Sequence, residues 1–133
     1  MRILLLVALV AVVLPAAITA VALEGSEVVI LRTRGPDGGF EETRVWIADD
    51  GPLSYVEAAT PERPWYQSLR QYPELEVVRG GVARRYRAVP EPGPDGHDRV
   101  RALLRAKYGW ADWWVGLVQD TGRSVAVRLE PVE

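Results

Sequence analysis

The sequence predicts a mainly β domain with inserted helices, an α+β fold built as a small antiparallel barrel behind a hydrophobic N-terminal helix. Three observations predict it. About six β-branched runs are separated by Gly-rich turns, which is typical of hairpins. No long crossover of the kind that parallel strands need joins these runs, which argues against a doubly wound fold. An apolar stretch without any charge, Ile3–Leu23, comes before them.

The N-terminal segment, residues 1–23, is long enough to cross a membrane. Its apolar run has Thr19 as its one polar residue, and 21 helical residues span roughly 32 Å, the thickness of a hydrocarbon core. A secretory signal fits as well, because Pro15 interrupts the run and Ala20-Val21-Ala22 is an A-x-A cleavage pattern. We expect a retained anchor that contacts the bilayer through Ile3–Leu23, with cleavage and export as the alternative.

The second segment, residues 24–133, is predicted to be a single domain. It carries all 18 acidic residues and 15 of the 16 basic ones, so its formal charge is 15 minus 18, or −3. A weakly acidic domain argues against binding to nucleic acid. The absence of cysteine excludes disulfides, thiolate catalysis and zinc–thiolate sites.

The remaining side chains offer little chemistry of their own. The only histidine, His97, lies in the stretch "VPEPGPDGHD", is expected in a loop and is given no role. A metal site would need carboxylates alone, and no Asp/Glu pattern with ligand spacing occurs. We therefore predict no catalytic side chain and no metal ligand. Such a protein performs redox chemistry only through a bound cofactor.

The first half of the domain predicts three strands. "SEVVILRTR", residues 26–34, is a β-branched run that ends in the turn "GPDGG". "TRVWIADDG" alternates in polarity and turns at Asp50-Gly51 into "LSYVEAAT". Asp-Gly between two such runs is a strong hairpin signal.

A short helix is predicted next. Thr60 is a suitable N-cap, and Pro61 or Pro64 is tolerated in the first turn. Trp65, Leu69 and Tyr72 recur at helical spacing and share one face. The helix should end at Tyr72, because the residue before a proline avoids the helical conformation.

The second half predicts a hairpin, two helices and a closing strand. Gly80-Gly81 can form the two-residue turn of the hairpin "LEVVRGGVARRYRAV". "PEPGPDG" is expected as a loop, with a helix from Asp98 to Gly109 and a last helix in "WADWWVGLVQD". Because Trp110, Trp113 and Trp114 share a helix face, we expect core packing; an interfacial belt on lipid is the alternative. "RSVAVRLEPV" is the closing strand.

The order of several short motifs resembles a known family. They are Thr33 and Gly35 at the end of the first strand, Arg44 in the next, Pro64-Trp65-Tyr66 at the helix start, and Tyr72-Pro73 leading to Val77. "KYGWADWWVGL" and "VRLEP" follow. From about Val28 to Pro131 the chain resembles the nitroreductase/quinone-reductase family of deazaflavin-dependent oxidoreductases. The resemblance implies a six-stranded split β-barrel related to flavin-binding barrels.

The resemblance also implies an activity and a location. It implies reduction of a quinone or nitro compound by hydride transfer from a reduced deazaflavin coenzyme, with FMN as the second choice of cofactor. Membrane association occurs among family members, and the coenzyme is cytoplasmic, so the domain would face the cytoplasm. A homo-oligomer is compatible with the sequence.

Six residues are candidates for cofactor binding. They are Arg34, Arg44, Thr60, Arg63, Trp65 and Tyr66. The two aromatic residues would border a flat ring, the strand arginines would hold an anionic group, and Thr60 and Arg63 would form an anion site at a helix N-terminus. Each has a simpler interpretation: one aromatic ring in the core and the other half-exposed, a cross-strand pair for Arg44, and a plain N-cap for Thr60.

One departure from the family pattern favours a second hypothesis. Many relatives carry a basic run after the first strand, where this chain has "GPDGGFEE". Asp37, Glu41 and Glu42 would repel an anion, although Arg32, Arg34 and Arg44 are near enough in sequence to compensate. The alternative is therefore a non-catalytic, membrane-anchored barrel module that has lost the cofactor.

Overall fold

The computed structural model describes residues 1–132 and confirms the predicted α+β barrel. The six strands are β1 Val28–Arg34, β2 Phe40–Asp50, β3 Leu53–Ala58, β4 Glu74–Arg79, β5 Val82–Glu91 and β6 Val125–Pro131. The helices are α1 Arg2–Glu24, α2 Pro64–Gln71, α3 Pro94–Tyr108 and α4 Trp110–Val118. The strands are antiparallel and close in the order β1-β2-β3-β6-β5-β4.

The barrel interior is a continuous apolar core. Alternate residues of the strands point inward, including Val29, Leu31, Ile47, Val56, Val77, Val127 and Leu129. The buried side of α2 fills the same core with Trp65, Tyr66 and Leu69. Each fully buried side chain of this size stabilises the fold by about 1.5–3 kcal/mol.

The predicted Gly80-Gly81 turn is confirmed, whereas the turn predicted at Asp50-Gly51 is shifted by one residue to Gly51-Pro52, because Asp50 still pairs with Leu53. Gly51 joins β2 to β3 with φ +60°, and Gly80 and Gly81 join β4 to β5 with φ +57° and +78°. Residues with a Cβ rarely adopt this left-handed conformation. The glycines therefore set these two registers.

The barrel wall opens locally between β2 and β3. These strands pair only from Ile47↔Val56 to Asp50↔Leu53. Before Ile47, β2 pairs with β1 but no longer with β3. After Val56, β3 pairs with β6 but no longer with β2. A gap therefore separates Thr43–Trp46 from the end of β3.

Helices α3 and α4 cover the outer face of the sheet beside this gap. Val100, Leu104 and Tyr108 pack with Ala111 against the outward side chains of β2, β3 and β6. The Tyr108 and Trp46 rings are stacked, with centroids 4.3 Å apart and planes 8° from parallel. This second core places two helices next to the opening in the wall.

Helix α2 begins later than predicted. Arg63 is the N-cap, with φ −55° and ψ 128°, and Pro64 is the first helical residue. A proline lacks the N–H that has no partner in the first turn, and it holds the preceding residue outside the helix. Thr60 is therefore not the N-cap; its carbonyl accepts a hydrogen bond from the Arg63 N–H at 3.3 Å.

Helix α3 begins at Pro94 and not at Asp98, and β5 continues to Glu91, so the predicted loop "PEPGPDG" is reduced to Pro92-Gly93 and the loop prediction for His97 is wrong. Pro94 is tolerated because it occupies the first helical position. A Cβ at Gly96 would collide with the carbonyl oxygen of Glu91, so this glycine permits a close approach to β5. His97 Nδ1 lies 3.0 Å from the carbonyl oxygen of Ser124.

Helix α1 is exposed along most of its length and continues through Pro15. Arg2–Leu23 is long and apolar enough to cross a membrane, a property that it shares with signal sequences. Its last turns are part of the domain. Ala22 is fully buried, and the Trp46 indole donates to the Leu23 carbonyl at 3.3 Å.

Candidate functional site

A cleft of about 260 Å³ lies at the gap between β2 and β3. The end of α1, the start of α2 and the inner sides of α3 and α4 complete its walls. Its apolar lining consists of Leu23, Val28, Val45, Trp46, Ala59, Trp65, Leu104 and Val115. Its polar lining consists of Thr43, Arg44, Glu57, Arg63, Arg101 and Gln119. An apolar slot with a few polar groups is the usual composition of a small-molecule site.

The aromatic pair of α2 is buried more deeply than expected. Trp65 is 5% exposed and Tyr66 4% exposed, and their rings meet edge to face with centroids 6.4 Å apart. The expectation that one of them is half-exposed is therefore wrong. Trp65 lines the cleft, whereas Tyr66 packs inside the barrel.

Two of the predicted cations line this cleft. Arg44 extends from the part of β2 that pairs with β1 but not with β3, and Arg63 directly precedes α2. Both residues are exposed. Thr60 is half-buried in the turn before Arg63 and does not line the cleft.

Arg34 lies in a different groove. Its guanidinium is 5.0 Å from the centre of the Tyr72 ring, in a groove of about 470 Å³ that Phe40 and Arg85 also line. Arg44 of β2 lies opposite Ile30 of β1. Ile30 comes four residues before Arg34, so Arg44 and Arg34 are separated by about 13 Å along the strand direction. The structure thus brings together Arg44, Arg63 and Trp65, and places Arg34, Thr60 and Tyr66 elsewhere.

A third cation of the cleft, Arg101, was missed by sequence reasoning. It donates to both oxygens of Glu57 at 3.0 and 3.1 Å and to Asp112 at 2.6 Å. Burial lowers the pKa of Arg101, but the two carboxylates outweigh burial and raise it overall. Because Arg101 bridges Glu57 of β3 and Asp112 of α4, it holds the wall together. Its one sequence signal is its position on α3 next to Val100 and three residues before Leu104.

The acidic turn between β1 and β2 is also organised internally. The Gly39 N–H donates to Asp37 at 3.0 Å. Arg32 pairs with Glu42 at 2.9 Å and also with Glu76. Arg32 therefore offsets the charge of Glu42 but shares its guanidinium with Glu76, and no such ion pair joins it to Asp37 or Glu41 among the described residues.

The structure has known relatives by fold only. No protein-family model matches the chain, and no curated protein matches it. A pyridoxamine 5'-phosphate oxidase-like protein from Listeria innocua superimposes with a TM-score of 0.62 at 20% identity, over 90% of this chain and 94% of that one. An F420 reductase superimposes with a TM-score of 0.55 at 19% identity, over 86% of this chain and 93% of that one. A FAD-binding protein from Mesorhizobium loti superimposes with a TM-score of 0.56 at 17% identity, over 89% of each chain.

These identities are too low to show a family, but the shared architecture is clear. The chain has the split β-barrel of proteins that include flavin- and deazaflavin-related oxidoreductases.

Proposed function

We propose that the protein is a membrane-tethered oxidoreductase that reduces a quinone or nitro compound with a reduced deazaflavin coenzyme, FMN being the second choice. The observation that carries this proposal is the cleft in the barrel wall. It combines an apolar slot beside Trp65 with the guanidinium groups of Arg44 and Arg63. The fold likeness to an F420 reductase supports the choice of coenzyme, because F420 is a deazaflavin.

The residues present fit the ring of such a coenzyme. The cleft is slightly smaller than the roughly 300–1,000 Å³ that encloses a drug-sized ligand, so it suits a flat ring and leaves a charged tail outside. Val45, Trp46 and Trp65 would contact the ring and exclude water from it. Arg44 and Arg63 would bind anionic groups, and a tail that also reached Arg34 would have to extend over about 13 Å.

The chain's own residues would act by binding and orientation. When bound, a reduced deazaflavin supplies the hydride. Among the residues whose side chains the structure describes, the cleft lining contains no histidine or tyrosine, and its one acid, Glu57, is paired with Arg101. No acid–base step is therefore assigned to the protein. Its contribution is to hold donor and acceptor together, away from water.

The tether is proposed to be α1, with the domain on the cytoplasmic side. Leu23 lines the cleft, and Ala22 is fully buried in the outer core. A chain cleaved after Ala22 would lose the packing of Ala22 and the nearby contact of Thr19 with Trp114. These contacts support a retained anchor over a removed signal.

The test uses the full chain in lipid nanodiscs. Reduced deazaflavin coenzyme and FMN are titrated separately, followed by fluorescence, and turnover is then measured with a soluble quinone and a nitroaromatic compound. We expect saturable binding of the deazaflavin and oxidation of the bound coenzyme when an acceptor is added. Binding of neither cofactor would overturn the proposal.

The second candidate function is a non-catalytic barrel module. The acidic segment favours it, because the resemblance implies a basic run where this chain has Asp37, Glu41 and Glu42, and Arg32 offsets only Glu42 while also pairing with Glu76. Absence of cofactor binding in the same titration would support this module. Binding without turnover would favour a carrier over an enzyme.

A further inference from the structure

Helix α4 presents an unusually apolar face to solvent. Trp110, Trp113 and Leu117, at positions i, i+3 and i+7, are 58%, 64% and 62% exposed and lie on one side of the helix. Among the described residues after α1, seven large apolar side chains are exposed, and four of them, including Val118, are on this nine-residue helix. We call Trp110, Trp113 and Leu117 the tryptophan face.

The tryptophan face carries no charge. The one ionisable side chain of α4, Asp112, points the other way, is 2% exposed and pairs with Arg101. Ala111 and Val115 bury the same inner side. A surface whose own polar groups are only indole N–H groups can enter an interfacial layer without desolvating an ion of that surface.

The tryptophan face lies beside the end of α1. Trp114, on the flank of α4, donates from its indole nitrogen to the Thr19 hydroxyl at 2.8 Å. Residues 3–14 of α1 are exposed and apolar. If α1 spans a bilayer, its last turns lie where α1 leaves the hydrocarbon core. Helix α4, which contacts these turns, then lies at the same depth.

We propose that the tryptophan face docks on the bilayer, at the boundary between headgroups and acyl chains next to α1. This inference rests on the proposed membrane tether. Tryptophan prefers that boundary, where its ring is in an apolar layer and its N–H reaches water or headgroups. A large exposed apolar patch on a soluble domain is also typical of a surface that binds a membrane, a ligand or another protein.

Docking has a consequence for the cleft. Val115 and Gln119, on the other side of α4 and just after it, line the cleft together with Leu23. Docking of α4 therefore holds the cleft close to the membrane surface. A lipid-soluble acceptor, such as a quinone with an apolar tail, would be concentrated there.

Single-cysteine variants of the full chain test this, because the protein contains no cysteine. Trp113→Cys and Leu117→Cys are spin-labelled in nanodiscs of phosphatidylcholine and phosphatidylglycerol. Collision with oxygen reports lipid, and collision with a nickel chelate reports water. Val10→Cys, in the middle of α1, tests the tether. Val82→Cys, 59% exposed at the β4–β5 hairpin, is the control for water.

We expect the labels at positions 113 and 117 to be at least threefold less accessible to the nickel chelate than the label at position 82, and accessible to oxygen. If they match position 82 while position 10 is in lipid, the docking is wrong and the tether stands. If position 10 is also in water, tether and docking both fail. Protection of positions 113 and 117 from both probes would mean a protein partner, such as a second copy, and would also overturn the proposal.

Discussion

The indole nitrogen of Trp114 donates a hydrogen bond to the hydroxyl of Thr19, and that hydroxyl donates in turn to the Pro15 carbonyl, both at 2.8 Å. The first bond joins α4 to the apolar N-terminal helix across 95 residues of sequence. Thr19, the one polar side chain of the apolar run, therefore forms its hydrogen bonds within the protein. This relationship joins the last turns of α1 to the folded domain, while residues 3–14 remain exposed.

Replacing Thr19 by Val should lower the unfolding midpoint. The Trp114 N–H would lose its acceptor, and a buried unsatisfied donor costs about 1–3 kcal/mol, with the lower end expected because Trp114 is only partly buried. Thr19→Ser keeps the hydroxyl and is the matched control. Thermal unfolding in detergent micelles measures both, and equal midpoints for Thr19→Val and the parent chain would show that α1 does not dock on α4.

Replacing Arg101 by Met should destabilise the wall of the cleft. Asp112 would remain almost completely buried without its 2.6 Å partner, and breaking a buried pair costs about 3–5 kcal/mol. Arg99→Met removes a more exposed arginine from the same helix, one that pairs with Glu91, and should cost less than about 1 kcal/mol. Denaturant unfolding measures the free energy of unfolding of both variants. A similar loss for Arg101→Met and Arg99→Met would contradict the structural role of Arg101.

Replacing Arg63 by Gln should weaken deazaflavin binding. A lost hydrogen bond to a charged group corresponds to roughly a tenfold weaker affinity. Arg70→Gln, on the exposed side of the same helix and away from the cleft, is the matched control and should bind like the parent. Fluorescence titration in nanodiscs compares them; equal affinity of Arg63→Gln and Arg70→Gln would remove Arg63 from the site.

Acid should weaken the fold through Asp49. Hydrogen bonds from Arg79 lower the pKa of Asp49 to about 2, below the value of about 3.9 in an unfolded chain. The folded state thus holds the carboxylate more strongly, and this stabilisation is present above about pH 5 and disappears as the pH falls to about 2.

Asp49→Asn should therefore cost about 0.5–1 kcal/mol at pH 7, a small value because the pair is partly exposed. The difference from the parent chain should vanish near pH 2. Asp50→Asn, at the next and exposed position, is the control. Urea unfolding at several pH values provides the measurement, and a constant difference down to pH 2 would refute the assignment.

Much of the barrel is predictable from the sequence because its signals are local. Alternating polarity marks the strands, and Gly51, Gly80 and Gly81 mark turns that need positive φ. The start of α3 was missed because "EPGPDG" has the composition of a loop. In the structure Gly96 packs closely against Glu91, a contact between elements that no local pattern reports.

The site was predictable only in part, for the same physical reason. The helix start at Pro64 and the arginine of β2 are visible in the sequence. Whether Arg34 and Arg44 share a groove depends on the register between β1 and β2, which places Arg44 opposite Ile30 and which the sequence does not display. Arg101 could not be recognised as buried, because its two acids come from β3 and α4.

The tryptophans show the limit of periodicity. Helical spacing correctly places Trp110, Trp113 and Trp114 close together on α4, but it cannot say what covers them. The expectation of core packing is wrong for Trp110 and Trp113, which are exposed, while Trp114 packs against the outer core.

The indole N–H signals of the five tryptophans test the central claim most directly. Trp46 and Trp65 line the cleft, and Trp110 and Trp113 lie outside it. In a ¹⁵N-labelled full chain in nanodiscs, added deazaflavin coenzyme should shift the Trp46 and Trp65 signals and leave those of Trp110 and Trp113 in place. Shifts confined to Trp110 and Trp113, or no shift at saturating coenzyme, would contradict a redox site in the barrel wall.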